Sequence, residues 1–261
     1  MRIGFIDSGV GGLTVFAHVR QKVEADYIYL MDNKYLPYGE KTESFIQQRL
    51  SQLSAHLIAL GAELIVIACN TATTQAVDYL RQQFSVPFVG VVPAIKPAAA
   101  LSQGQGFAVL ATPGTVNSDY LQDLIRQFAP TEVVTKVGSS ELVRLAEEKI
   151  WSGVDVSQQV ADILSVSPLL EAKPKVVVLG CTHFPFLATE IHALLPLDCQ
   201  LLDTGDAIAR RVAQLVRNMP QSGIEGHHSF ISTRKLTEQQ QSRLVELGFD
   251  QHECWPEPLQ G

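Results

Sequence analysis

Two cysteines stand at matched places in this chain. Leu64-Ile65-Val66-Ile67-Ala68-Cys69-Asn70-Thr71 lies over Val176-Val177-Val178-Leu179-Gly180-Cys181-Thr182-His183. In each copy an apolar strand delivers a thiol into a threonine-containing turn, and a helix begins. Ligands of open α/β sheets bind at the carboxyl ends of strands. A thiol placed there also feels the positive helix end and its free amides, which predicts a pKa lowered from ~8.5 toward neutrality. If the two halves face each other, Cys69 and Cys181 approach one ligand from opposite sides. Such a pair suits moving a proton across a planar centre: one thiolate takes it, and one thiol returns it to the other face. A single buried cysteine reads as a small hydrophobe; two in matched polar turns point to function.

Asp7-Ser8-Gly9-Val10-Gly11-Gly12 follows the first strand. Its glycines would leave amides and the Ser8 hydroxyl free to hold an anion such as a carboxylate. Thr14 stands where a dinucleotide fingerprint needs its third glycine, and no Gly-Lys-Ser/Thr of a P-loop follows. Asp7 reads either as a helix cap or as a strand-end acid that polarises an ammonium group or a thiol. Pro37-Tyr38-Gly39 forms a polar turn before a long helix, and composition alone makes it a plain turn. His183 reads as an acid/base partner of Cys181 or as a metal ligand. Cys-x-His without further ligands at compatible spacing does not make a metal site, and none is expected. Cys199 and Cys254 lie outside these turns and read as structural or incidental, and His227-His228 reads as surface.

The elements that must position these groups alternate strand and helix, which predicts a mainly parallel sheet. Expected strands are Ile3–Asp7, Tyr27–Met31, Leu64–Ala68, Phe88–Val91, Phe107–Ala111, Val133–Val137, Val176–Gly180 and Leu201–Asp203. The clearest helix spans Thr42 to Leu60, with Ile46, Leu50, Leu53 and Leu57 on one face and Gly61 as a stop. Leu121, Leu124, Ile125 and Phe128 follow the cap cluster Asn117-Ser118-Asp119, and Ile208, Val212, Leu215 and Met219 precede Pro220. Overlaying strands and turns gives two copies, roughly residues 3–95 and 106–208, joined through Ser102-Gln103-Gly104-Gln105-Gly106. The expectation is α/β: two similar α/β domains with mainly parallel sheets, related by pseudo-two-fold symmetry, with the site between them. Residues 1–97 plus 209–261, including a helix at Thr237–Leu247, form the first domain, and 98–208 form the second.

Composition excludes several classes. The chain has 261 residues, 46% hydrophobic and 18% charged, which rules out disorder. Its net charge of -7, with no basic run longer than Arg210-Arg211, argues against a nucleic-acid partner. No stretch reaches the ~18 apolar residues of a membrane span. The N-terminus reads as a strand rather than a secretory signal. Four scattered cysteines without a CxxC pair suggest free thiols in a reducing cytoplasm.

Four motifs in order, Asp7-Ser8-Gly9-Val10-Gly11-Gly12, Pro37-Tyr38-Gly39, Cys69-Asn70-Thr71-Ala72 and Gly180-Cys181-Thr182-His183-Phe184-Pro185, resemble those of the glutamate racemases within the aspartate/glutamate racemase family. The resemblance covers nearly the whole chain and thins after Pro220. It implies a cofactor-independent isomerase that interconverts L- and D-glutamate and supplies D-glutamate for peptidoglycan. It also implies that Cys69 acts on D-glutamate and Cys181 on L-glutamate, assisted by Asp7 and His183. The substrate contacts it carries over are Asp7-Ser8, Pro37-Tyr38-Gly39, Asn70-Thr71 and Thr182-His183, and Glu147 matches a further acidic position near the second cysteine. Family members form homodimers. Some are switched on by a muramyl-peptide precursor and carry an N-terminal extension, whereas this chain begins at its first strand. Abstracting an α-proton builds negative charge that Ser8, Asn70, Thr71, Thr182 and turn amides can meet as neutral donors. The motifs hold no Schiff-base lysine, in keeping with a reaction without pyridoxal phosphate.

Other readings remain open at this point. Aspartate racemases share the two-thiol logic but usually carry an acid where His183 stands. A hydrolase or transferase with a Cys181–His183 nucleophile would need one cysteine and form a covalent intermediate. A two-lobed amino-acid binding protein would need neither.

Overall fold

The computed structural model describes residues 1–220, 223 and 226–255. Apolar runs bounded by turn residues become its strands. In chain order these are β1 (Arg2–Asp7), β2 (Asp26–Met31), β3 (Leu64–Ile67), β4 (Phe88–Gly90), β5 (Phe107–Ala111), β6 (Val134–Gly138), β7 (Val176–Leu179), β8 (Gln200–Leu202), β9 (His228–Ser232) and β10 (Gln251–Cys254). They form two sheets, ordered β10-β9-β2-β1-β3-β4 and β6-β5-β7-β8, and every pairing is parallel. The run β2-β1-β3-β4 matches β6-β5-β7-β8 strand for strand. That is the internal repeat in three dimensions, with β3 and β7 at equivalent interior positions.

Parallel sheets must be covered on both faces. Phe5, Tyr29, Val66 and Phe230 pack on one face of the first sheet against the helices Leu13–Arg20 and Gly205–Val216. Ile6, Ile65 and Ile67 pack on its other face against Leu50, Leu53 and Leu57. Those leucines belong to the helix Glu43–Ala59, which the Thr42 hydroxyl caps by accepting from the Phe45 amide. The second sheet repeats this with Leu110 and Val177 on one side and Val109 and Val178 on the other. Helix Ile95–Ser102 sends Ile95 and Ala98 into this second core, so the Ser102–Gly106 turn leads from that helix into β5.

The two C-terminal strands carry no clear alternation and were not expected. β9 pairs with β2, and β10 pairs with β9, extending the first sheet. Helix Glu238–Glu246 lies between them, with Thr237 and Gln240 making a capping box. His228, expected on the surface, is instead half-buried beside Tyr27 and Phe16, because it opens β9. His227 is exposed, as are Arg210 and Arg211. Residues 256–261, which close the expected first domain, lie outside the described residues. Among the described residues no helix is long and apolar enough to cross a membrane.

Leu53 is fully buried under the first sheet. Leu53→Ala should therefore destabilise the protein by about 2–5 kcal/mol in urea unfolding, while leaving the residues at the strand ends in place.

Candidate active site

The carboxyl ends of β1, β3, β5 and β7 converge on one small, tightly closed pocket between the two sheets. Ser8 follows β1, Cys69 and Asn70 follow β3, Thr112 follows β5, and Cys181 follows β7; all five line it. Pro37, Tyr38, Gly39, Thr71, Val143 and His183 complete the wall. Both matched thiols therefore border the same space. A larger groove at the amino-terminal side of the first sheet is lined by Arg2, Asp26, His227 and Glu253 among others. It holds no thiol, so size alone is a poor guide to the chemistry here.

Cys69 is the N-cap of helix Asn70–Gln83 and is 7% exposed. The expected lowering of its pKa does not occur. Burial pushes the Cys69 thiol well above its ordinary value, and the Asp7 carboxyl beside it adds to the rise. The amide at Ala72 pulls the other way but does not prevail. A helix end offers partial charge, whereas leaving water costs the thiolate its whole solvation.

Asp7 is fully buried and stands one layer behind Cys69. Burial pushes its carboxyl up to about 6, against the pull of His183 and of the Gly12 and Ser8 amides. Those amides donate to Asp7 at 2.5 and 2.6 Å. Thr182 Oγ1 donates to Asp7 from the second sheet at 3.4 Å.

The glycine turn was expected to leave its amides for a ligand. The amides of Ser8, Val10 and Gly12 are engaged by the protein instead. Val10 N–H donates to Glu147 Oε1 at 2.7 Å, and the Gly11 amide lies 3.2 Å from His183 Nε2. A Cβ on Gly9 would meet Glu147 Oε1 at 2.0 Å, and one on Gly11 would meet His183 Nδ1 at 2.3 Å. Glycine is required here for close approach across the two sheets.

His183 Nε2 lies 2.6 Å from Glu147 Oε1, and Nδ1 lies 3.8 Å from Cys181 Sγ. One ring nitrogen cannot both donate to Glu147 and accept from Gly11. The shorter contact puts the proton on Nε2. Burial works against a charged ring, but its contacts with Cys181 and Glu147 outweigh that and hold the His183 pKa well above its ordinary value. Cys181 thus has an imidazolium at its side. Glu147, expected among the substrate contacts, does not line the pocket and stands behind His183.

The substrate-facing donors are more selective than the motifs suggested. Asn70 is buried, and its Nδ2 has no hydrogen-bond partner among the described residues. It is the donor best placed to meet a carboxylate entering the pocket. Tyr38 gives its hydroxyl to Asp32 at 2.6 Å, so its ring and the turn's backbone are what it offers inward. Burial, and then Asp32, hold that hydroxyl protonated. Asp32 is itself gripped by Arg49 through two bonds of 2.8 and 2.9 Å and by Thr233 Oγ1 at 2.7 Å. Thr112, which was not among the expected contacts, stands after β5 as Ser8 stands after the equivalent β1. Its hydroxyl joins Thr71 at 2.7 Å across the two sheets. Asp32 and Arg49 carried no local motif. Cys199 is buried in the second core and Cys254 is exposed; all four cysteines are free. Among the described residues no group of three or more His, Cys, Asp or Glu could hold a metal ion.

A family model described as Asp/Glu/hydantoin racemase matches residues 3–212. A glutamate racemase of Shewanella denitrificans is 47% identical over 225 residues, covering 85% of this chain and 80% of that one. One of Shewanella loihica is 44% identical over 245 residues, covering 93% and 91%. The crystal structure of Escherichia coli glutamate racemase, in complex with L-glutamate and the activator UDP-MurNAc-Ala, is 40% identical, with a TM-score of 0.91 over 97% of each chain.

Two measurements check this geometry. Arg49→Met leaves the Asp32 charge buried without its partner and should cost about 3–5 kcal/mol in urea unfolding. The raised Asp7 pKa means that the folded state holds a proton the unfolded chain has released. Its stabilising contribution is complete below about pH 4 and is lost as pH rises through about 6. The loss amounts to roughly 3 kcal/mol. Denaturant unfolding from pH 4 to 7 should therefore decline less steeply for Asp7→Asn than for the parent chain.

Proposed function

We propose a two-thiol route for the reaction: the chain belongs to the Asp/Glu/hydantoin racemase family and interconverts L- and D-glutamate, and Cys69 and Cys181 pass the α-proton between them. The observation that carries this reading is that both sulfurs border one pocket from opposite sheets. With L-glutamate bound, the Cys181 thiolate takes the α-proton, and the C–H electron pair moves onto Cα and its carboxylate. Cys69 then gives its proton to the opposite face, and D-glutamate results. The reverse reaction exchanges the roles. Burial keeps Cys69 a thiol, suited to giving a proton, and Asp7 is placed to take that proton when Cys69 must act as the base. Asn70 Nδ2, the Ser8 and Thr112 hydroxyls and the Tyr38-Gly39 turn meet the substrate's carboxylates where charge develops. Thr182 steadies Asp7, and Glu147 steadies His183.

The same likeness supports three further proposals. D-glutamate from this reaction feeds peptidoglycan synthesis in the cytoplasm, where four free thiols persist. UDP-MurNAc-Ala raises the rate, as read by assaying racemisation with and without it. The chain forms a homodimer, as read by analytical ultracentrifugation.

In heavy water, glutamate should exchange its α-hydrogen and lose optical activity without added cofactor. Cys69→Ala and Cys181→Ala should each abolish racemisation, and Cys199→Ala should not. Normal turnover by both single variants would end the two-thiol reading. A trapped acyl intermediate that needs only Cys181 would favour a nucleophilic enzyme, and binding without exchange would favour a binding protein.

A further inference from the structure

Glu147 is buried, and its oxygens are divided among three groups. Oε1 accepts from the Val10 amide and faces His183; Oε2 accepts from the Trp151 indole N–H at 2.8 Å. Among the described residues no lysine or arginine is bonded to it. Oε1 is held by the Val10 amide and by His183 Nε2–H, whereas the orientation of Oε2 depends on the Trp151 indole. Trp151 lies four residues beyond Glu147 on helix Glu141–Ser152, so both project from one face. The Trp151 ring is half-buried against the core that contains Val10 and Leu13. An indole N–H can only donate, and this one donates to Glu147.

We infer that Trp151 is a positioning residue for the Cys181 half of the reaction, acting through Glu147 and His183. The contacts run from the indole to Glu147 at 2.8 Å, to His183 at 2.6 Å and to Cys181 at 3.8 Å. Removing the indole donor leaves Oε2 as a buried acceptor with nothing to accept, and the carboxylate is then free to turn away from the imidazolium. Cys69 is served by a shorter set of contacts that does not include Trp151. Asp7 reaches Cys69 directly and is held by amides and by Thr182. The consequence falls chiefly on Cys181, because Glu147 and His183 bear on Cys69 only through their charge on Asp7. The inference rests on the two-thiol reading.

Trp151→Phe keeps an aromatic ring at the interface and removes the donor. Because two enantiomers have an equilibrium constant of one, kcat/KM must fall equally in both directions, and roughly tenfold is expected for a bond to a charged group. The two directions differ in their isotope effects. With α-deuterated L-glutamate, where Cys181 removes the label, the effect on kcat/KM should rise. With α-deuterated D-glutamate, where Cys69 removes it, the effect should fall. Combined with Glu147→Gln, the tryptophan change should slow the enzyme no further than about twofold, since both act through one contact. Any pattern other than opposite isotope shifts overturns the inference, as does a double variant slowed by the product of the single effects. Cys181→Ala separates the two ideas. If it racemises normally, the two-thiol reading falls. If it is inactive while Trp151→Phe behaves as the parent, only the role of Trp151 falls.

Discussion

Glu147 sits where the two sheets meet, and its carboxylate joins them. It accepts from Val10 in the turn after β1 and from Trp151 on its own helix, and it orients His183 in the turn after β7. A buried carboxylate that lost these partners would be too costly to keep, so the three groups are held together by desolvation as much as by attraction. The same close approach explains why Gly9 and Gly11 have no side chain. The His183 ring, and through it the surroundings of the Cys181 thiol, takes its orientation from this tie.

The opposite side is built on a different balance. Asp7 and Cys69 are both buried, and both bind their protons more tightly than in water. Asp7 keeps acid character near neutrality because amides and His183 partly offset its burial. One thiol thus has a high proton affinity beside an intermediate acid, and the other has an imidazolium at its side. Mirror-image chemistry is carried out by two half-sites that are related in topology but not in electrostatics. Part of the protein's stability is given up for this arrangement, since an acid with a raised pKa destabilises the fold above that pH.

Much of the architecture was legible in the chain. Fully apolar runs such as Val176–Leu179 mark strands buried on both faces, and Leu50, Leu53 and Leu57 mark one side of a helix, because local periodicity reports burial directly. The repeat by itself places Cys69 and Cys181 at equivalent strand ends. β9 and β10 are not legible in the chain, because short strands of mixed polarity such as the edge strand Gln251–Cys254 carry no period to read.

The order of residues alone determined which groups stand at strand ends, and hence that two thiols, an acid and a histidine would be near one another. Only the folded chain decided what those groups would be like. The proton affinity of Cys69 depends on the solvent it loses. The amides of Val10 and Gly12 are occupied by Glu147 and Asp7 rather than by a ligand, and the hydroxyl of Tyr38 is spent on Asp32, whose partners Arg49 and Thr233 lie far along the chain. Desolvation and long-range hydrogen bonds are properties of position in space, and no local pattern of residue types encodes them.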